Sequence, residues 1–163
     1  MLFKTFFLVL IFTNVNAQIN TLKLNSSSLG IGFYNSSAES NRIGLGINFD
    51  ISVKGKNNIY SIYAGRAYLI NINEFIKEIL EFNFTYGKEV YLNNFIVAEG
   101  HIGVGYTSHK ASNTETHSAV GIPIRLKLYV KFGKHFSMGV NPNININTFE
   151  RVLSGHLIFQ HHF

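Results

Sequence analysis

Ser154 and His156 stand two residues apart in the closing segment SGHLIFQHHF. A serine beside a histidine is the minimal pair for nucleophilic acyl transfer, and Glu150 or Glu99 would be the carboxylate that orients the imidazole. On a strand, residues two apart share a face. Here that face carries the polar residues, whereas an acyl chain would approach from the apolar side, so the pair is assigned no catalysis. The same segment excludes a metal site of its own. His156 and His162 share a face but lie about 20 Å apart at strand spacing, and His161 and His162 point to opposite faces. Neither pair can ligate one ion at Zn–N distances. Ser108–His109 and His117–Ser118 flank a polar loop, where two histidines across a mobile hairpin make a weak site. The chain has no cysteine, which removes thiol catalysis, thiolate metal ligation and lipidated cysteine anchors. No catalytic residue, metal or cofactor is assigned.

The elements that position these side chains are strands. Nearly every segment after residue 25 alternates with period two. In RIGLGINFDISVKG, Ile43, Leu45, Ile47, Phe49, Ile51 and Val53 fall on one face; Gly44, Gly46, Asn48, Asp50, Ser52 and Lys54 fall on the other. SAVGIPIRLKLYVKFG sets Val120 through Phe132 against Gly121, Pro123, Arg125, Lys127, Tyr129 and Lys131. In HFSMGVNPNININ, Asn141, Asn143, Asn145 and Asn147 share the polar side. Eight strands are expected, near 27–35, 42–54, 58–70, 79–87, 94–108, 118–132, 135–147 and 152–163. KGKNN, GKEVYLNN and FGKH are connections that are short or carry a Gly-Lys pair. NSSAESN, NINEFIKE, SHKASNTETHS and NTFERV are polar loops, with a helical turn expected at FIKEI.

The first residues are an address label. MLFKTFFLVLIFTNVNA has one early cation, an apolar stretch from Phe6 to Phe12 and small residues at Val15 and Ala17. This predicts a secretory signal peptide over 1–17, cut between Ala17 and Gln18, leaving one domain over 18–163. The apolar stretch is too short to span a bilayer as a helix, so any membrane span must be made of strands. Losing Lys4 lowers the formal charge by one from +5. Basic residues form no stripe, which argues against nucleic acid as a partner.

Charged residues are only 14% of the chain, about half the usual share of a soluble domain. A soluble lipid-binding barrel points its apolar face inward and needs a charged exterior. In this chain the polar face is rich in Gly, Asn, Ser and Thr, suited to the inside of a narrow barrel. The bulky aliphatic face carries Tyr or Phe near strand ends (Tyr34, Tyr86, Tyr106, Phe132, Phe136, Phe163), as an aromatic girdle would. The fold expected is an all-β, eight-stranded antiparallel up-and-down transmembrane barrel.

In this pattern the chain resembles the small eight-stranded outer-membrane barrels of the outer membrane protein A and X type. The likeness covers the whole mature chain. Its one local signature is the last strand, where Leu157, Phe159 and Phe163 match the alternating apolar and aromatic residues of that family, while His161 stands where an aromatic is usual. The resemblance implies an integral protein of the Gram-negative outer membrane, with extracellular loops and periplasmic termini. It implies that the barrel assembly machinery reads Leu157, Phe159 and Phe163, and that the partners are outer-membrane lipid and lipopolysaccharide, with an outer-membrane protein as a further candidate.

A barrel of eight strands is filled by its own side chains, so an open diffusion pore is not expected. Inward charges must then pair. Turns centred at 73–74, at Val90 and at Asn113 predict an interior belt Arg66–Glu81–Glu99–Lys127, with Arg125 and His101 adjoining. The expected role is structural or interactive: envelope integrity, surface adhesion, or service as a small subunit of a larger complex. The alternatives are a lipid A-modifying enzyme, although the His-x-Ser-Asn pattern associated with lipid A deacylases does not occur, and a soluble periplasmic lipid-binding barrel.

Overall fold

Alternation decides the architecture strand by strand. We describe residues 22–37, 43–56, 58–71, 74–111 and 116–163 of a computed structural model. Residues 1–17 and the Ala17–Gln18 cleavage lie outside the described residues. The strands are β1 (Lys23–Ser36), β2 (Ile43–Gly55), β3 (Asn58–Asn71), β4 (Glu74–Tyr91), β5 (Ile96–Ala111), β6 (His117–Phe132), β7 (Phe136–Asn147) and β8 (Arg151–His162). Each pairs antiparallel with its chain neighbours, and β1 pairs with β8, so the sheet closes on itself and leaves no edge. Both described chain ends and the turns after β2, β4 and β6 lie at one rim, the terminal rim. The connections after β1, β3, β5 and β7 lie at the other, the loop rim.

Closure turns one face of every strand inward. Serines, asparagines, glycines and ionisable residues are buried, while large hydrophobics including Leu29, Ile47, Phe84, Val104, Leu126 and Phe159 are exposed. The interior is the chemical inverse of a soluble lipid-binding barrel's. An apolar surface of this extent, wrapped around the whole molecule, is a bilayer-facing surface. Its aromatic border is dense at the terminal rim, where Tyr91, Phe95, Phe132, Phe136 and Phe163 are exposed.

Three local expectations are corrected. The segment at FIKEI is strand, not helix, because β3 hydrogen-bonds along β4 from Asn71↔Glu74 onward. The β4–β5 turn is Leu92–Phe95 rather than a turn at Val90. Asn93 Oδ1 accepts the backbone N–H of Phe95 at 2.8 Å and of Ile96 at 2.7 Å, so an asparagine and not the Gly87–Lys88 pair makes the turn. Gly87 lies mid-strand, where a Cβ would stand 2.5 Å from His101 Nδ1. Tyr34 is buried inside, on the same face of β1 as Ser28 and Ser36, and takes no part in the girdle. The β6–β7 turn does use a glycine's freedom, with Gly133 at φ 81°.

Candidate functional site

The interior is built around Asp50, on the polar face of β2. Its Oδ2 accepts from Arg125 Nη1 at 2.5 Å and its Oδ1 from Lys127 Nζ at 2.5 Å, both reaching from β6. Ser61 donates to Asp50 and accepts from Arg125 Nη2 at 2.6 Å, and Thr85 accepts from the same nitrogen at 3.3 Å. Toward the terminal rim, Glu99 is held by His101 Nε2 at 3.1 Å and by the Tyr129 hydroxyl at 2.7 Å. Glu89 lies beside Glu99 in the β4–β5 register and pairs with Lys54. Every carboxylate of this cluster has a cation or a hydrogen-bond donor on it, as charges removed from water require.

Toward the loop rim the chemistry is different. Tyr34 and Tyr63 share a hydroxyl–hydroxyl bond of 2.9 Å, and the Arg125 guanidinium lies over the Tyr63 ring at 5.2 Å, joining the two halves. His156 meets Tyr34 edge-on with ring centroids 5.0 Å apart. Glu81 is buried in this half, and among the described residues no donor reaches either of its oxygens at hydrogen-bonding geometry. At the rim itself Glu150 takes the Ser36 hydroxyl and pairs with His109.

The expected belt is redistributed. The β5–β6 register sets Glu99 opposite Lys127 and His101 opposite Arg125, and all four are inside. Arg66 is not. β3 pairs with β4 as Gly65↔Glu81 and Arg66↔Leu80, one residue from the expected alignment, and a one-residue slip moves a side chain to the other face. Arg66 projects from the outer wall and pairs with Glu78 through Nε at 2.5 Å. Glu81 lies opposite Thr107, not Glu99, because the β4–β5 turn sits four residues beyond Val90. Eight residues of β4 separate the Glu81 and Glu99 levels, on the order of 25 Å. The adjoining carboxylates are therefore Glu89 and Glu99. Sequence reasoning missed Asp50, Lys54, Glu89 and Tyr129 as members. The signal for Asp50 was present, since it stands among Gly46, Asn48 and Ser52 on the polar face of its strand.

Ser154 and His156 share the interior face, but the Ser154 hydroxyl accepts from Asn143 Nδ2 at 3.3 Å, and Glu150 is committed to Ser36 and His109. No group of three His, Cys, Asp or Glu residues suited to a metal occurs among the described residues. Leu157 and Phe159 of β8 and Phe163, which follows it, are exposed on the outer side. His161 also belongs to this outer border. Its ring meets Phe136 at 5.2 Å and Phe163 at 4.9 Å, both edge-on, and stacks on His135 at 5.9 Å. His162 turns the other way, toward Ser137 and Tyr129.

No family model and no curated protein sequence matches the chain. Solved structures do. The chain is similar to Neisserial surface protein A (8% identity, 86% of this chain and 97% of that one, TM-score 0.63). It is similar to Ail, the attachment invasion locus protein of Yersinia pestis, solved in complex with the heparin analogue sucrose octasulfate (15%, 86% and 100%, TM-score 0.58). It is also similar to the outer membrane enzyme PagL (14%, 83% and 97%, TM-score 0.53). The fold is that of the small eight-stranded outer-membrane barrels.

Proposed function

We propose that the chain is an integral outer-membrane barrel with a structural or interaction role and no catalytic one: envelope integrity, surface adhesion, or a small subunit of a larger complex. The loop rim is extracellular and the termini periplasmic. The observation that carries this reading is the plugged interior beneath an apolar exterior. Tyr34, Tyr63, Tyr129, Lys127, Glu99 and Gln160 are fully buried across the lumen, which leaves the loops as the surfaces available to a partner. Outer-leaflet lipid and lipopolysaccharide surround the barrel, and the barrel assembly machinery engages Leu157, Phe159 and Phe163 during biogenesis. Insertion of an epitope after Asn113, followed by antibody labelling of intact cells, tests the orientation. Labelling without permeabilisation is expected, and release of the protein by osmotic shock without detergent would overturn the membrane reading.

A second reading, lipid A modification, draws on the likeness to PagL and on the shared face of Ser154 and His156. Mass spectrometry of lipid A from cells carrying Ser154→Ala and His156→Ala separates the two. An unchanged profile is expected, and a lost acyl modification would establish the enzyme.

A further inference from the structure

The outward position of Arg66 carries a consequence for what lies against the barrel. A guanidinium on a lipid-facing wall costs about 2–4 kcal/mol at the bilayer midplane and roughly 0–1 near the interface, so its partners decide whether it is tolerated. Glu78 takes its Nε–H, and the guanidinium lies over the Tyr68 ring at 5.1 Å. Lys110 stands directly across from Glu78 in the β4–β5 register and is exposed. Three adjacent strands thus present two cations and one carboxylate on the outer wall, in the half nearer the loop rim. Among the described residues no further acceptor reaches the Arg66 η nitrogens.

Two apolar grooves border this cluster. One, of about 490 Å³, passes over Ala64 between Phe49, Leu80 and Phe82, one step toward the terminal rim from Arg66. The other, of about 650 Å³, runs sideways along Ile47, Leu45, Ile31 and Phe33 to Gly155. Both are open because Ala64 and Gly155 are small among bulky outward neighbours.

We propose that this patch is a binding site for a phosphorylated lipid, with the phosphate on Arg66 and Lys110 and acyl chains in the two grooves. It rests on the membrane reading above. A guanidinium fork matches a phosphate bidentately, and the excess of one positive charge favours an anion over a neutral headgroup. A second copy of the chain is disfavoured, since a two-fold contact would set the same net positive cluster against itself.

Native mass spectrometry of the barrel in neutral detergent tests the site, with synthetic lipid A carrying two phosphates, its dephosphorylated counterpart, and inorganic phosphate as competitor. Wild type is expected to retain the bisphosphorylated lipid about tenfold better than the dephosphorylated one, the scale of one charge-assisted contact. Arg66→Gln and Lys110→Gln should abolish that preference. Ala64→Leu, which fills the first groove, should weaken retention of both lipids. Lys88→Gln, an outward cation near the terminal rim, should change nothing. Equal retention of the two lipids by wild type, or unchanged preference in Arg66→Gln, overturns the proposal. So does full displacement by inorganic phosphate, which would assign the site to the free anion. Heat-modifiable migration of each variant shows that the barrel is folded, so loss of the lipid preference is read apart from loss of the membrane fold. If Arg66→Gln does not fold, Lys110→Gln and Ala64→Leu decide.

Discussion

Asp50 of β2 and Arg125 of β6 meet inside the barrel at 2.5 Å, although 75 positions separate them in the chain. β2 and β6 lie four strands apart in either direction around the ring, so the pair spans the lumen rather than a hairpin. Lys127 binds the other oxygen of the same carboxylate and Ser61 joins from β3. One aspartate therefore braces opposite walls.

Removal of that carboxylate should be among the most damaging single changes in the chain. Asp50→Ala leaves Arg125 and Lys127 buried without their counter-charge, and breaking such a pair costs about 3–5 kcal/mol. Urea unfolding from phospholipid vesicles, followed by the shift between folded and unfolded bands on an unheated gel, should show a midpoint lowered by the equivalent of that range. A loss below about 1 kcal/mol, the scale of a solvated surface pair, would mean that the cations find water instead.

Glycines separate by face in a way that substitution will expose. A Cβ on Gly103 would stand 2.0 Å from the Phe84 carbonyl oxygen, and one on Gly32 would stand 2.0 Å from that of Gly155. Backbone on the neighbouring strand cannot give way as a side chain can, so Gly103→Val and Gly32→Val should block closure of the barrel. Gly100 and Gly155 have nothing within 4 Å, and Gly100→Ala and Gly155→Ala should fold at the wild-type yield in detergent refolding.

Most of this architecture was legible in the sequence because alternation over twelve or more residues, as in β2, β6 and β7, permits one assignment of faces. The interior pairs set by the Asn113-centred loop, Glu99 with Lys127 and His101 with Arg125, follow from that alternation plus one turn position. What was not legible is register where the turn signal misleads. Gly87–Lys88 has the composition of a turn, yet Gly87 is small to admit the His101 ring, and Asn93 makes the turn. In β3 a register irregularity between Leu69 and Asn71 shifts the pairing by one residue and sends Arg66 outside. Contacts across the lumen, such as Asp50 to Arg125, depend on closure and tilt of the whole ring. No local pattern encodes them.

His161 occupies an aromatic position in the closing strand and makes aromatic contacts there, edge-on to Phe136 and Phe163. Such pairs contribute about 0.5–1.5 kcal/mol beyond area. His161→Phe should therefore preserve or raise the rate of refolding into vesicles, and His161→Asp should slow it by removing the ring from the border. Equal rates for both variants would show that the ring contributes nothing to assembly.

Glu81 offers the opposite sign to Asp50. Both are buried carboxylates, but Asp50 has two cations and a hydroxyl while, among the described residues, neither oxygen of Glu81 accepts a hydrogen bond. The Asn145 amide faces its carboxyl but is engaged by Asn83 Oδ1 at 3.3 Å, and the Arg125 charge acts on it at longer range. A buried polar group left without a partner costs about 1–3 kcal/mol, and more when charged. Glu81→Gln keeps the shape and the polar group but removes the charge, so it should raise stability in the same urea assay by the added cost that the charge carries over a neutral polar group. Asp50→Asn, the same chemical change one cluster away, should destabilise it, because there the charge is what the neighbours are built to hold. If both substitutions destabilise to a similar degree, Glu81 has a partner, the Asn145 amide or water, and the two halves of the lumen are equally well satisfied.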